Sequence, residues 1–123
     1  MASSTRPGHG STAVLGPSDF EGTRLKRPGT WAVAFVADWC PFCRRFLPLF
    51  EAARGRGEFT LAYGDLTSYE NPLWETFDVS VVPTLIAFRD GAIVFRENGR
   101  FARGLTAAHV DALVKALARP PTG

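Results

Sequence analysis

Trp31-Ala-Val-Ala-Phe-Val-Ala-Asp-Trp-Cys-Pro-Phe-Cys43 carries two patterns back to back. Trp31 to Ala37 is the longest unbroken apolar run in the chain, the mark of a strand buried on both faces. At Cys40-Pro41 the pattern turns helical. Proline suits a first helical position, where its missing N–H breaks no bond. Phe46, Leu47, Leu49, Phe50 and Ala53 then recur at helical intervals up to the breaks at Gly55-Arg-Gly57, and Pro48 predicts a kink. A buried strand turning into a helix, with a Cys-x-x-Cys at the turn, is the feature from which the rest is read.

Upstream, Ala13 to Leu15 predicts a short edge strand, and Ser18-Asp19-Phe20-Glu21 has the form of a capping box. It predicts a first helix ending by Arg27-Pro28-Gly29. Downstream, Phe59 to Tyr63 predicts a strand, and Asn71 to Phe77 a short helix with Pro72 in its first turn. Thr84 to Phe88 and Ala92 to Arg96 flank Arg89-Asp-Gly91, a strong hairpin signal. Thr106 caps a last helix with Val110, Leu113, Val114 and Leu117 along one face. The expected order is β-α-β-α-β-α-β-β-α: an α/β domain with a central mixed sheet flanked by helices on both faces. Residues 13–118 form that domain, between a disordered N-terminal tail (1–12) and a C-terminal tail (119–123).

The chain has 123 residues, room for one ordinary domain, and 46% are hydrophobic, enough for a packed core. Fourteen Lys and Arg against twelve Asp and Glu give +2, too mild to argue for nucleic acid or a membrane surface. No apolar run is long enough to span a bilayer, and Met1 to Thr12 lacks the apolar stretch of an export signal. The expectation is a cytoplasmic monomer.

Two cysteines cannot build a multi-bridge scaffold or a four-cysteine zinc site. His9 lies in the tail and His109 on a late helix, so no metal is expected. The spacing points to redox chemistry. Residues i and i+3 on a helix lie about 5–6 Å apart between Cβ atoms, close enough to bridge with little backbone movement. Cys40 at the N-cap faces unpaired backbone N–H groups and the positive end of the helix dipole, which favour thiolate. Arg44 and Arg45 add positive charge nearby. Cys43, one turn in, should be more buried and less acidic. That asymmetry makes Cys40 the attacking sulfur and Cys43 the resolving one.

Phe35-Val-Ala-Asp-Trp-Cys-Pro-Phe-Cys-Arg44 resembles the active-site segment of the thioredoxin-like superfamily. Val81-Val-Pro-Thr-Leu-Ile-Ala-Phe-Arg-Asp-Gly91 resembles its second signature, and Gly99 falls where a glycine closes that family's active-site surface. The resemblance implies a thioredoxin fold over residues 13–118. It implies that Pro83 is a cis-proline packed against the cysteine pair and keeping metal ions off the thiols. It also implies that Val82 offers its backbone to an extended substrate, with Trp39, Pro41, Phe42 and Gly99 rimming the groove. Phe42, between the cysteines, is expected to be exposed so that Cys40 stays open. Ala34 stands where thioredoxins carry a buried acid that helps deprotonate the resolving cysteine, and Leu61 falls about where that acid's lysine partner would be. Asp38 is a weak substitute. Pro-Phe between the cysteines resembles the Pro-Tyr of glutaredoxins. Trp31 and Trp74 read as packing.

The function implied is a thiol–disulfide oxidoreductase without cofactor, acting on disulfide-containing proteins and reset by a thioredoxin reductase-type enzyme or by glutathione. A glutaredoxin-like, glutathione-dependent activity stays open, as does a binding module whose cysteines matter little. An iron–sulfur dimer bridged through Cys40 is a further alternative.

Overall fold

Hydrophobic alternation along β4 (Thr30–Val36) sorts the core into two layers. Val33 and Phe35 face one side of the sheet, Ala32 and Ala34 the other. The computed structural model describes residues 12–100 and 103–118; most of the segments read as tails (1–11 and 119–123) lies outside the described residues. Beside β4 the elements are β1 (Ala13–Leu15), β2 (Phe20–Glu21), β3 (Arg24–Leu25), α1 (Pro41–Glu51), β5 (Thr60–Asp65), α2 (Leu73–Thr76), β6 (Thr84–Arg89), β7 (Ala92–Glu97) and α3 (Ala107–Ala118).

The main sheet runs β1-β5-β4-β6-β7, with β1, β5 and β4 mutually parallel and β6 and β7 antiparallel. β4 is central, which is why both its faces are apolar. On one face Phe46 and Phe50 of α1 and Val110, Leu113 and Leu117 of α3 cover Ala32, Ala34, Leu61, Tyr63, Leu85 and Ala87. On the other, Phe20, Leu25, Leu73 and Phe77 cover Val33, Phe35, Ile86 and Phe88. Asp90 and Gly91 both hold positive φ (50° and 92°), the primed turn that matches strand twist in a two-residue hairpin.

The helix expected from Ser18 does not form. A 3-10 turn at Pro17–Asp19 leads into the β2–β3 hairpin. The side chain that closes the turn belongs to Asp19, which accepts the Gly16 amide at 2.8 Å and pairs with Arg27 at 2.7 Å. Between Ser18 and Arg27 the only large apolar residues are Phe20 and Leu25, and five residues apart they make no helical stripe. Paired across the hairpin they share one face, with Phe20 edge-on to Phe77 at 5.0 Å. Helix α1 runs through Pro48 to Glu51. α2 follows Pro72 at its N-cap, and α3 follows Thr106, whose amide donates to Nδ1 of His109 at 2.9 Å.

Candidate active site

The turn from β4 into α1 places Cys40 as the N-cap of the helix, in extended conformation (φ −101°, ψ 111°). Its sulfur replaces the usual capping oxygen: the Cys43 amide donates to Sγ at 3.2 Å. The Cys40 thiol in turn donates to the Val82 carbonyl at 3.6 Å. Pro41 at the first helical position adds no N–H to compete for the sulfur. Both cysteines are free thiols.

Cys40 is only 4% exposed and Cys43 1%, so the attacking sulfur is less open than the sequence suggests. It reaches solvent through a cavity of about 350 Å³ that it lines. Burial pushes the Cys43 thiol strongly up from its ordinary value; the hydrogen bond with Cys40 and the charge there act in the same sense, against a smaller opposing bond with the Ala37 backbone. That direction is the one expected of Cys43 from its place one turn inside the helix.

One wall of the cavity is the loop before β6. The Val82–Pro83 peptide is cis, and the loop is tied down by buried Thr84, which donates to the Val81 carbonyl at 2.7 Å. Gly99 lies against its far side: a Cβ there would overlap the Pro83 carbonyl oxygen. Gly99 thus supports the loop and does not line the cavity. Pro41 and Phe42 form the helix-side wall. Phe42 is half-buried, not exposed: Gly104 lies so close that a Cβ there would come within 3.0 Å of the Phe42 Cβ, and Arg45 lies over its ring at 5.1 Å.

Trp39 is 43% exposed and forms the remaining edge together with Tyr69 and Trp74. Tyr69 carries no motif, and Trp74, read as packing, both packs against the core and lines the cavity. The hint available in the sequence was two aromatics within six positions, Tyr69 in the loop before α2 and Trp74 in α2 itself. Trp31 behaves as read, with Nε1 donating to the Pro28 carbonyl at 3.0 Å.

Ala34 is fully buried and flanked across the sheet by Tyr63 and Leu85. Leu61 pairs with Ala32, so the position beside Ala34 belongs to Tyr63. Asp38 is exposed and lines a different cavity, with Arg44 and Thr67; Arg44 reaches back to the Asp38 carbonyl at 3.1 Å. Among the described residues no three His, Cys, Asp or Glu side chains converge on a metal-sized site. None of their helices is long and apolar enough to cross a membrane.

Comparison with known proteins gives the same architecture. The Thioredoxin family model matches residues 11–115. Protein disulfide-isomerase A3 of Gallus gallus is 36% identical over 115 residues, 92% of this chain but 22% of that protein. A thioredoxin of Chlamydia trachomatis is 38% identical over 72 residues, covering 58% of this chain and 70% of the relative. Among solved structures, a mutant thioredoxin from Halobacterium salinarum superposes with a TM-score of 0.63 at 25% identity, over 77% of this chain and 80% of the other. Malassezia sympodialis thioredoxin, at 18% identity, shares the fold with a TM-score of 0.68 over 89% of this chain and 93% of its own. The chain spans well under half the length of several of its relatives: 22% of the chicken protein and 33% of a thioredoxin domain-containing protein of Theileria parva.

Proposed function

This chain belongs to the thioredoxin family, and from that premise we propose that it exchanges two electrons with protein disulfides through Cys40 and Cys43. The observation that carries the reading is the placing of Cys40 Sγ: capped by the Cys43 amide, beside the Val82 carbonyl, and at the floor of an apolar cavity. A hydrogen bond from an amide to sulfur strengthens when the sulfur is charged, so the cap favours the form that attacks.

The Cys40 thiolate attacks one sulfur of a substrate disulfide, forming a mixed disulfide and releasing the other substrate sulfur as thiolate. An extended substrate segment lies along the Val82 backbone, with Trp39 and Phe42 as apolar walls. Cys43 then loses its proton to solvent and attacks Cys40 Sγ. The Cys40–Cys43 bond forms and the second substrate thiolate leaves. The substrate gains two electrons and two protons, and a dithiol reductase or two glutathione molecules return them to the protein. No cofactor enters these steps.

Trapping tests this directly. Cys43→Ser should accumulate a mixed disulfide with a disulfide-bearing peptide, stable to gel analysis without reductant, whereas Cys40→Ser should form none. If the two variants behaved alike, the assignment of roles would fall. A native pair that failed to cycle in any glutathione buffer would leave only the binding reading.

A further inference from the structure

Beside the reacting sulfur lies a stack of three aromatic rings, of which the thiol–disulfide reading uses only Trp39. Tyr69 is 73% exposed yet held flat: its ring centroid is 5.3 Å from that of Trp39 at 25°, and 5.6 Å from that of Trp74 at 21°. Trp39 and Trp74 are nearly coplanar in orientation, at 5°. Both indoles spend their N–H on the loop between β5 and α2, Trp39 on the Thr67 carbonyl at 2.8 Å and Trp74 on the Ser68 carbonyl at 3.0 Å. That loop is braced by Asn71, which donates to the Asp65 carbonyl at 3.0 Å and accepts the Leu73 amide at 2.9 Å. The two indoles are therefore fixed in place before any ligand arrives, and what the three rings offer a ligand is flat π surface and the Tyr69 hydroxyl.

The segment that carries Tyr69 and Trp74 has one sign of charge, whereas Arg44 reaches the Asp38 carbonyl on the far side of Trp39. Residues 58–88 contain Glu58, Asp65, Glu70, Glu75 and Asp78 and no lysine or arginine. Glu70 follows Tyr69 and Glu75 follows Trp74; both are exposed, and neither joins the ion pairs found among the described residues. The wall opposite the rings is apolar, made by Pro41 and Phe42; Arg45 lies over the Phe42 ring at 5.1 Å but lines the neighbouring cavity with Leu49 and Arg103. A positive side chain is thus drawn to the ring side, where π faces and carboxylates both favour it.

Resting on the oxidoreductase reading, we propose that Trp39, Tyr69 and Trp74 with Glu70 and Glu75 form a substrate subsite for arginine or lysine. The protein selects disulfides in polypeptide segments whose attacked cysteine is flanked by a basic residue.

The test is a panel of peptide disulfides that differ only in the residues flanking the cysteine, taken as Arg, Leu, Trp or Glu. The rate of mixed-disulfide formation with the Cys43→Ser protein is divided by the rate of the same peptide with 2-mercaptoethanol, which removes the effect of the flank on the leaving thiol. The Arg peptide should lead the Leu peptide by about threefold and the Glu peptide by about tenfold at low salt. Tyr69→Ala, which removes no core contact, and the pair Glu70→Gln with Glu75→Gln should each shrink those ratios. Equal ratios for all four peptides, a lead for Leu or Trp, or ratios untouched by these variants would overturn the subsite and leave the oxidoreductase reading standing. No reaction with any peptide, while 2-mercaptoethanol reacts with all, would remove the reading and the subsite with it.

Discussion

Cys43 sets the tempo of the proposed cycle. Its thiol is held up first by burial, which persists in the mixed disulfide, and in the dithiol state also by its bond to Cys40; Ala34, where the resemblance places an acid in thioredoxins, lies within an apolar layer. Attack on the mixed disulfide needs the Cys43 thiolate, so below its raised value only a small fraction of molecules can resolve at any instant. The first step does not depend on that ionisation. The mixed disulfide should accordingly be long-lived at neutral pH, and its resolution rate should climb by about tenfold per pH unit on the alkaline side, with no plateau near pH 8. Stopped-flow release of the second substrate thiol between pH 6 and 10 checks this. A plateau below pH 8 would mean that another group accepts the Cys43 proton, with Asp38 the first to replace.

Glu51, at the last turn of α1, joins three elements at the edge of the helix-facing layer. Burial works against its charge, but hydrogen bonds from Tyr63 of β5, Arg54 and Thr12 outweigh it and hold its carboxyl below the ordinary value. A carboxylate depressed in the folded state stabilises fully above its unfolded value, about 4.3, and loses that contribution as pH falls through the folded value. Glu51→Gln should therefore cost about 1–2 kcal/mol at pH 7, a fall in Tm of about 3–8 °C, and the difference from the native protein should narrow as pH falls from about 4.3 through the lower folded value. Thermal melts over pH 2.5–7 read both limbs; a constant gap would show that packing, not charge, is lost. Glu51 is also an element-level feature that sequence patterning did not reveal, since its partners come from positions 12 and 63. Strand β4, helix α1 and the β6–β7 hairpin were legible because each is specified locally: an apolar run, a helical stripe opened by Cys-Pro, an Asp-Gly turn. The β2–β3 hairpin was not. Ser18 to Glu21 satisfies a capping pattern locally, but burying Phe20 beside Phe35, Phe77 and Phe88 decides its conformation, and those partners are remote in sequence. The site divides the same way. Cys40, Cys43 and Pro83 sit in motifs, whereas the Tyr69–Trp74 shelf exists only once the loop is folded against Trp39.

Taken over the whole chain, a net charge of +2 conceals an uneven field. All fourteen lysines and arginines lie outside residues 58–88, which hold five of the twelve acidic residues. A molecule so divided is nearly neutral to a distant partner and negative to one approaching the rings beside the groove, where Glu70 and Glu75 are exposed. Such a field acts over a Debye length, about 30 Å at 0.01 M salt and about 3 Å at 1 M. Selectivity by field and selectivity by ring contact can therefore be separated. Raising salt from about 0.02 to 0.5 M should slow mixed-disulfide formation with the Arg-flanked peptide by about three- to fivefold and speed it with the Glu-flanked one, while the Leu-flanked peptide changes little. Contact between a guanidinium and the Trp39–Tyr69–Trp74 faces is short-range and less exposed to screening, so part of the preference for Arg over Leu should survive at high salt. Rates measured across that range resolve the two contributions. Loss of all preference at 0.5 M would leave the carboxylates as the selecting element and reduce the rings to a rigid mount that holds Glu70 and Glu75 beside the reacting sulfur.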